Sequence, residues 1–113
     1  MKKTKVDKLI NTICEAPQEA MSYKVGEGCF IDKGAVIEKD AYIRHGVIIA
    51  NDTDRPTNIR IESGAFIGSG SVIVNDVVIA KNAVILAGSL VDRDIPEGEI
   101  WGGNPINRRY SVK

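Results

Sequence analysis

The feature that most constrains this chain is a six-residue hydrophobic period. From Val25 to Val91, every sixth residue is isoleucine or valine at eleven of twelve positions, and the exception is Arg55. The residue four places after each member of this series is mostly small, as at Ala35 and Ala83. This pattern predicts an all-β fold, a triangular parallel β-helix of about four coils, in which residues three hexads apart stack at about 4.8 Å. A β-sandwich would instead alternate with period two.

The period divides the chain into three parts. We expect an N-terminal helical cap over residues 1–24, the β-helix over residues 25–96 and an irregular C-terminal tail over residues 97–113. The helix is predicted from one apolar face, which comprises Val6, Leu9, Ile10 and Ile13. The tail is predicted to be irregular because glycine and proline interrupt the pattern at Pro96, Gly102, Gly103 and Pro105.

Composition excludes several functional classes. The 113 residues carry 15 basic and 15 acidic side chains, so the chain lacks the basic surplus expected of a nucleic-acid-binding protein. No apolar run reaches the roughly 20 residues of a membrane span, and no signal core follows the basic N-terminus. We therefore expect a cytoplasmic protein that binds neither nucleic acid nor membrane. Its two cysteines, Cys14 and Cys29, are expected to be free thiols.

One polar segment breaks the repeat. Residues 51–58 read Asn-Asp-Thr-Asp-Arg-Pro-Thr-Asn, with Arg55 where isoleucine belongs and Pro56 where a ladder donor is needed. This hexad either bulges out as a loop or stays in the coil without a core side chain. Polar residues that interrupt a regular scaffold are a common place for function, although a plain surface loop would show the same composition.

The closing repeats resemble those of the bacterial hexapeptide-repeat acyltransferases. The resemblance covers residues 25–109 and is carried by Ile67-Gly-Ser-Gly-Ser-Val72, by Ile85-Leu-Ala-Gly-Ser-Leu-Val-Asp-Arg-Asp-Ile-Pro96 and by the Gly-Asn-Pro sequence at 103–105. It implies a left-handed β-helix, a homotrimer and acetyl-CoA as donor. Handedness comes from the resemblance alone, since parallel crossovers are generally right-handed. The break resembles the polar loop of sugar and nucleotide-sugar acetyltransferases, with its Arg and Pro transposed.

The resemblance also implies where acetyl-CoA binds. Residues matching Ser69 and Ala87 offer backbone groups to the pantetheine arm in the family, and Gly88 is adjacent. Arg93 matches a frequent phosphate-binding lysine, and Arg108 could serve the same phosphate. The remaining candidates in the tail are Asn104 and Pro105. If every coil consists of three hexads, Asn51 stacks below Ser69 and Ala87 and lies at the reactive end of this column.

Acyl transfer requires a base for a hydroxyl acceptor and donors for the oxyanion. His45 is the only histidine and is the candidate base, with a solvent-exposed turn residue as the plain alternative. Asn51 would orient the acceptor, Asp52 would orient the base, and Asp54 and Arg55 would bind the acceptor. We therefore predict an acetyl-CoA-dependent O- or N-acetyltransferase that acts on a sugar or nucleotide-sugar.

Three other functions compete with this prediction. A γ-type carbonic anhydrase needs three histidines for zinc, so no metal is expected in a chain with one. A non-catalytic β-helix scaffold or degenerate paralogue would fit the short chain and the imperfect loop. A serine-type O-acetyltransferase would fit His45-Gly46 but normally carries a large helical domain. For the trimer, the candidate interface side chains are Ile48, Val78 and Val84.

Overall fold

The computed structural model describes residues 24–50 and 57–111, with backbone only for 110 and 111. The predicted N-terminal helix lies outside these residues. Within them the structure is all-β, with eleven two-residue strands followed by two longer ones. The strands are β1 (Lys24–Val25), β2 (Phe30–Ile31), β3 (Val36–Ile37), β4 (Tyr42–Ile43), β5 (Ile48–Ile49), β6 (Arg60–Ile61), β7 (Phe66–Ile67), β8 (Val72–Ile73), β9 (Val78–Ile79), β10 (Val84–Ile85), β11 (Leu90–Val91), β12 (Glu99–Gly102) and β13 (Asn107–Ser111).

Every third strand of the repeat pairs in parallel, which produces three sheets. The first sheet has the order β1-β4-β7-β10-β12-β13, the second β2-β5-β8-β11 and the third β3-β6-β9. We name the edges of this prism by the sheets they join. The first corner connects the first sheet to the second, the second corner connects the second to the third, and the third corner returns to the first. The parallel β-helix predicted from the sequence is confirmed.

The predicted isoleucine column fills the prism. Ile43, Ile49, Ile67 and Ile85 are completely buried, and small residues such as Ala65 are buried where the chain turns. Burying an aliphatic side chain of this size contributes about 1.5–3 kcal/mol relative to leaving it exposed. Stacked rungs therefore share one continuous core that no single hexad could form.

The break removes one hexad from the coil. Val25 pairs with Ile43, three hexads later, but Ile43 pairs with Ile67, four hexads later, and Ile67 pairs with Ile85 at the original spacing. The difference is one hexad, so residues 51–56 contribute no rung to the ladder. Of the two alternatives left open by the sequence, this register is compatible with the first; residues 51–56 themselves lie outside the described part of the chain.

The C-terminal stretch is more regular than predicted. β12 pairs in parallel with β10, which places Trp101 beside Ile85, and then turns back into β13 as an antiparallel hairpin. The prediction of an irregular tail is therefore wrong for residues 99–111. Of the residues that suggested irregularity, Gly103 and Pro105 lie in the turn of this hairpin, where turns favour them, whereas Gly102 ends β12 and Pro96 precedes it. No helix in the described residues is long and apolar enough to span a membrane.

Candidate active site

The first corner consists of four two-residue turns stacked on one another. The second residue of each turn is a glycine with positive φ, between 69° and 76°, a conformation that favours glycine. These residues are Gly28, Gly46, Gly70 and Gly88. A Cβ built on Gly70 or Gly88 would meet nothing within 4 Å, so the upper two turns are open to a ligand.

The residues that precede these glycines form a column of their own, joined by backbone hydrogen bonds. The amide of Gly70 donates to the carbonyl of His45 at 2.9 Å, and the amide of Gly88 donates to the carbonyl of Ser69 at 2.9 Å. His45, Ser69 and Ala87 therefore lie one above another. The predicted column of Asn51, Ser69 and Ala87 is wrong, because Ile43 pairs with Ile67, four hexads later rather than three, which puts His45 below Ser69.

The imidazole of His45 is held by the turn beneath it. Its Nδ1 accepts a hydrogen bond of 2.9 Å from the backbone amide of Glu27. A Cβ on Gly26 would lie 2.6 Å from the same Nδ1, so the ring needs a glycine at that position. Since Nδ1 is an acceptor here, the neutral imidazole carries its proton on Nε2. In this arrangement His45 offers a hydrogen-bond donor rather than the free lone pair that a general base requires.

Cationic and aromatic side chains of the first sheet lie beside His45. The Arg44 guanidinium donates from Nη1 to the Tyr42 hydroxyl at 2.9 Å. Lys24 Nζ lies 5.8 Å from the centroid of the Tyr42 ring, and the Tyr42 and Phe66 rings are stacked with centroids 5.5 Å apart. A depression of about 290 Å³ separates these groups from His45, and it is lined by residues 24–27 and 42–45.

The predicted CoA-binding residues fall into two groups. Ser69, Ala87 and Gly88 lie at the first corner, where Ala87 and Gly88 are exposed. Arg93 instead follows β11 at the second corner, where its Nε lies 3.3 Å from Asp92 Oδ1. The repeat itself implies this separation, because Arg93 lies one hexad after Ala87 and positions one hexad apart lie on different corners.

The candidates in the tail lie above the first corner. The amide of Gly103 donates to the Ser89 hydroxyl at 3.0 Å, which ties the turn between β12 and β13 to the top of the glycine column. Asn104 and Pro105, the next residues in that turn, are exposed. Arg108 is exposed on β13, with Nη1 3.9 Å from Glu99 Oε2.

Four predicted site residues lie outside the described part of the chain: Asn51, Asp52, Asp54 and Arg55. The structure does show how the coil resumes after them. The Thr57 hydroxyl donates a short hydrogen bond to Asp32 Oδ2, and the Asn58 amide donates to Asp76 Oδ1 at 3.2 Å. The sequence analysis did not predict this role of Asp32. The only indication in the sequence is that an acidic residue stands at the start of a turn.

Cys29 is a structural residue rather than a reactive one. It is buried, as its core-facing slot predicts, and its Sγ donates to the Arg44 carbonyl at 3.0 Å. Burial raises the pKa of the Cys29 thiol, so the thiolate that would act as nucleophile or ligand is disfavoured. Among the residues that the structure describes, no group of three His, Cys, Asp or Glu side chains could hold a metal ion.

Comparison with protein families identifies the repeat. Residues 58–93 match the family described as bacterial transferase hexapeptide (six repeats). Among curated proteins, no sequence matches the chain.

Solved acyltransferase structures match this fold over a longer part of the chain than the family model does. Serine acetyltransferase (CysE) of Neisseria gonorrhoeae matches with 26% identity and a TM-score of 0.71, over 81% of this chain and 40% of that one. The polySia-specific acetyltransferase NeuO matches with 25% identity and a TM-score of 0.73, over 79% and 49%. AntD, an N-acyltransferase of Bacillus cereus in complex with dTDP and coenzyme A, shares the fold with 17% identity and a TM-score of 0.70, over 80% and 61%.

These matches confirm the resemblance to the hexapeptide-repeat acyltransferases. They also confirm the fold as a left-handed parallel β-helix, the hand that the resemblance implied. The chain spans about two fifths of the length of the serine acetyltransferases that it matches.

Proposed function

We propose that this hexapeptide-repeat protein transfers an acetyl group from acetyl-CoA to a hydroxyl or amine of a sugar or nucleotide-sugar. The observation that carries the proposal is the open glycine column of the first corner, with His45 below it, in a fold shared with acetyltransferases. AntD was solved with both coenzyme A and a nucleotide, and NeuO is specific for polySia. AntD supports a coenzyme A thioester as donor, and both relatives support a sugar-type acceptor.

The donor would lie along the first corner. Ser69, Ala87 and Gly88 would accommodate the pantetheine arm, with Asn104, Pro105 and Arg108 nearer the nucleotide. The thioester would then lie at the lower end, near His45. In the reaction the acceptor oxygen or nitrogen attacks the thioester carbonyl, the C–S bond breaks, and the acceptor proton ends on the CoA sulfur or in water.

His45 is suited to stabilising this reaction by donation. Its Nε2–H can donate to the oxyanion or to the acceptor, because its Nδ1 is occupied by the Glu27 amide. The predicted role as general base would require that contact to break and the proton to move to Nδ1. A neutral amine attacks without a base, whereas a hydroxyl acceptor would need one.

A second acceptor class is L-serine. It is favoured by the serine acetyltransferases among the similar structures, although this chain spans only part of their length. A matched panel of a neutral sugar, an amino-sugar, a nucleotide-sugar and L-serine separates these classes when CoA release is measured for each. Transfer to none of them, together with no binding of acetyl-CoA, would contradict the proposal and favour a non-catalytic scaffold.

We propose that the protein is a homotrimer. The outward side chains of the second sheet are all apolar, and the exposed ones, Phe30 and Ile48, are among the largest exposed apolar residues of the described chain. An apolar surface of this kind favours association with closed symmetry. Of the other two interface candidates, Val78 lies on the third sheet and Val84 on the first, so the three cannot all belong to one flat contact. Sedimentation equilibrium would contradict the proposal by showing a 12.3 kDa monomer alone.

A further inference from the structure

The depression beside His45 is cationic. Lys24 lies on β1 and Arg44 directly follows β4, the neighbouring strand of the first sheet. Neither side chain has a carboxylate within ion-pair distance among residues 24–50 and 57–111. The contrast is with other arginines of this part of the chain, since Arg60 lies 2.7 Å from Glu38 and Arg93 lies 3.3 Å from Asp92. Glu27 also lines the depression, so two cations and one anion leave a net charge of +1 with His45 neutral.

The Arg44 guanidinium is fixed in position rather than free in solvent. It donates to the Tyr42 hydroxyl, and its Cζ lies 5.4 Å from the centroid of the Tyr42 ring. Arg44 aligns with Gly26 of the coil below. The place that a Gly26 side chain would take is filled by His45, since a Cβ there would lie 2.6 Å from His45 Nδ1. A guanidinium whose orientation is already set loses less entropy when it binds a carboxylate or phosphate with two parallel hydrogen bonds.

The depression and the donor column lie on opposite sides of His45. Gly26 and Glu27 belong to the coil below His45, whereas Ser69 and Ala87 belong to the coils above it. A thioester whose arm runs along the upper turns would bring its carbonyl to His45, and the depression would then receive the molecule that attacks it. The CoA phosphates would lie at the far end of the donor arm, away from Arg44.

We propose that this depression binds an anionic group of the acceptor, a carboxylate or a phosphate, through Arg44 and Lys24. The identification of the bound molecule as the acceptor rests on the proposed function. The existence of the anion site does not. A sugar ring attached to the anion would pack on the exposed aromatic surface formed by Tyr42 and Phe66. The acceptor would accordingly be an acidic or phosphorylated sugar rather than a neutral one.

The only histidine of the chain allows a direct test. The His45 Cε1–H resonance is monitored by NMR at constant pH while inorganic phosphate is added. We expect a saturable shift in the wild type, an affinity weaker by about tenfold or more in Arg44→Gln, and a smaller loss in Arg44→Lys, which keeps the charge but not the two parallel hydrogen bonds. Arg60→Gln, which removes the same charge from the third sheet, should bind like the wild type. A shift that does not saturate, or equal affinity in Arg44→Gln, would overturn the anion site.

A second measurement identifies the source of the anion. Phosphate is titrated again in the presence of saturating acetyl-CoA. Unchanged phosphate affinity supports an acceptor site. If acetyl-CoA competes with phosphate and 3′-dephospho-acetyl-CoA does not, the depression binds the 3′-phosphate of CoA, and the assignment to the acceptor is overturned. Absence of acyl transfer with every acceptor would contradict the proposed function. Phosphate binding requires no turnover, so the phosphate affinity of the Arg44 variants still decides whether the anion site exists.

Discussion

Deletion of residues 51–56 should leave the β-helix folded. The deletion joins Ala50 to Thr57 and restores a spacing of three hexads between stacked rungs throughout the repeat. The new turn, Ala50-Thr57-Asn58-Ile59, has the same length as the turn from Asp32 to Ala35 on the coil below. The hydrogen bonds on either side are already those of a continuous coil, since the Ala50 amide donates to Ile73 at 3.0 Å and the Val36 amide donates to Ile59 at 2.8 Å.

The expected change in stability is small because two terms oppose each other. Shortening the connection between Ala50 and Ile59 from eight residues to two is a fourfold reduction, which at about 0.6 kcal/mol per doubling favours the folded state by roughly 1.2 kcal/mol. Asn58 must adopt the positive φ seen for Gly34 and Asp76 at equivalent turn positions, which costs about 1 kcal/mol. The free energy of unfolding should therefore change by less than about 1.5 kcal/mol.

Urea unfolding followed by circular dichroism measures this difference directly. The same variant should bind acetyl-CoA as the wild type does but lose acyl transfer, if Asn51, Asp52, Asp54 and Arg55 serve the acceptor. A matched control deletes an in-register hexad, residues 69–74, which should prevent stable folding because it removes the buried Ile73. Destabilisation of the 51–56 deletion by more than about 3 kcal/mol would refute the conclusion that this hexad lies outside the ladder.

Further substitutions test the site and the coil. Gly68→Ala should destabilise the protein by at least about 2 kcal/mol in urea unfolding, because the new Cβ would lie 2.4 Å from the Ala87 amide nitrogen. Gly88→Ala, whose Cβ meets nothing within 4 Å, should destabilise it by only about 1 kcal/mol. Equal effects would contradict the packing at the first corner. Arg108→Ala should weaken acetyl-CoA binding by about 1–3 kcal/mol in titration calorimetry, whereas Arg93→Ala, at the second corner, should leave it unchanged; the reverse result would contradict a donor site along the first corner. His45→Ala should lower turnover by about 10²-fold and His45→Gln, which can still donate, by less; equal losses would favour a base.

The repeat was predictable because it is local. A six-residue period needs no knowledge of distant residues, and the column of isoleucines from Ile31 to Ile85 follows from it directly. The C-terminal hairpin was not predictable in the same way, because β12 is set by pairing with β10 rather than by the period. Turn residues at Gly103 and Pro105 indicate a change of direction but not which strand the chain then joins.

The candidate site was predicted in part. His45 was found as the only histidine, but its position below Ser69 depends on whether the polar hexad forms a rung. If that hexad forms a rung, the residue below Ser69 is Asn51; if it does not, the residue is His45. The orientation of the imidazole depends on the Glu27 amide, which belongs to the coil below, and on the missing side chain of Gly26. Neither contact can be recognised from the sequence unless the stacking of the coils is known. The sequence therefore predicted a general base at His45, whereas the structure favours a hydrogen-bond donor.

The most direct test of the account is a crystal structure of the protein with acetyl-CoA. The account predicts electron density for the pantetheine arm along the first corner, against Ser69 and Ala87, with the thioester carbonyl within hydrogen-bond distance of His45 Nε2. Density along another corner of the prism, or a thioester distant from His45, would contradict the site. Absence of bound acetyl-CoA at saturating concentration, with calorimetry also showing no binding, would contradict the proposed acyltransferase function itself.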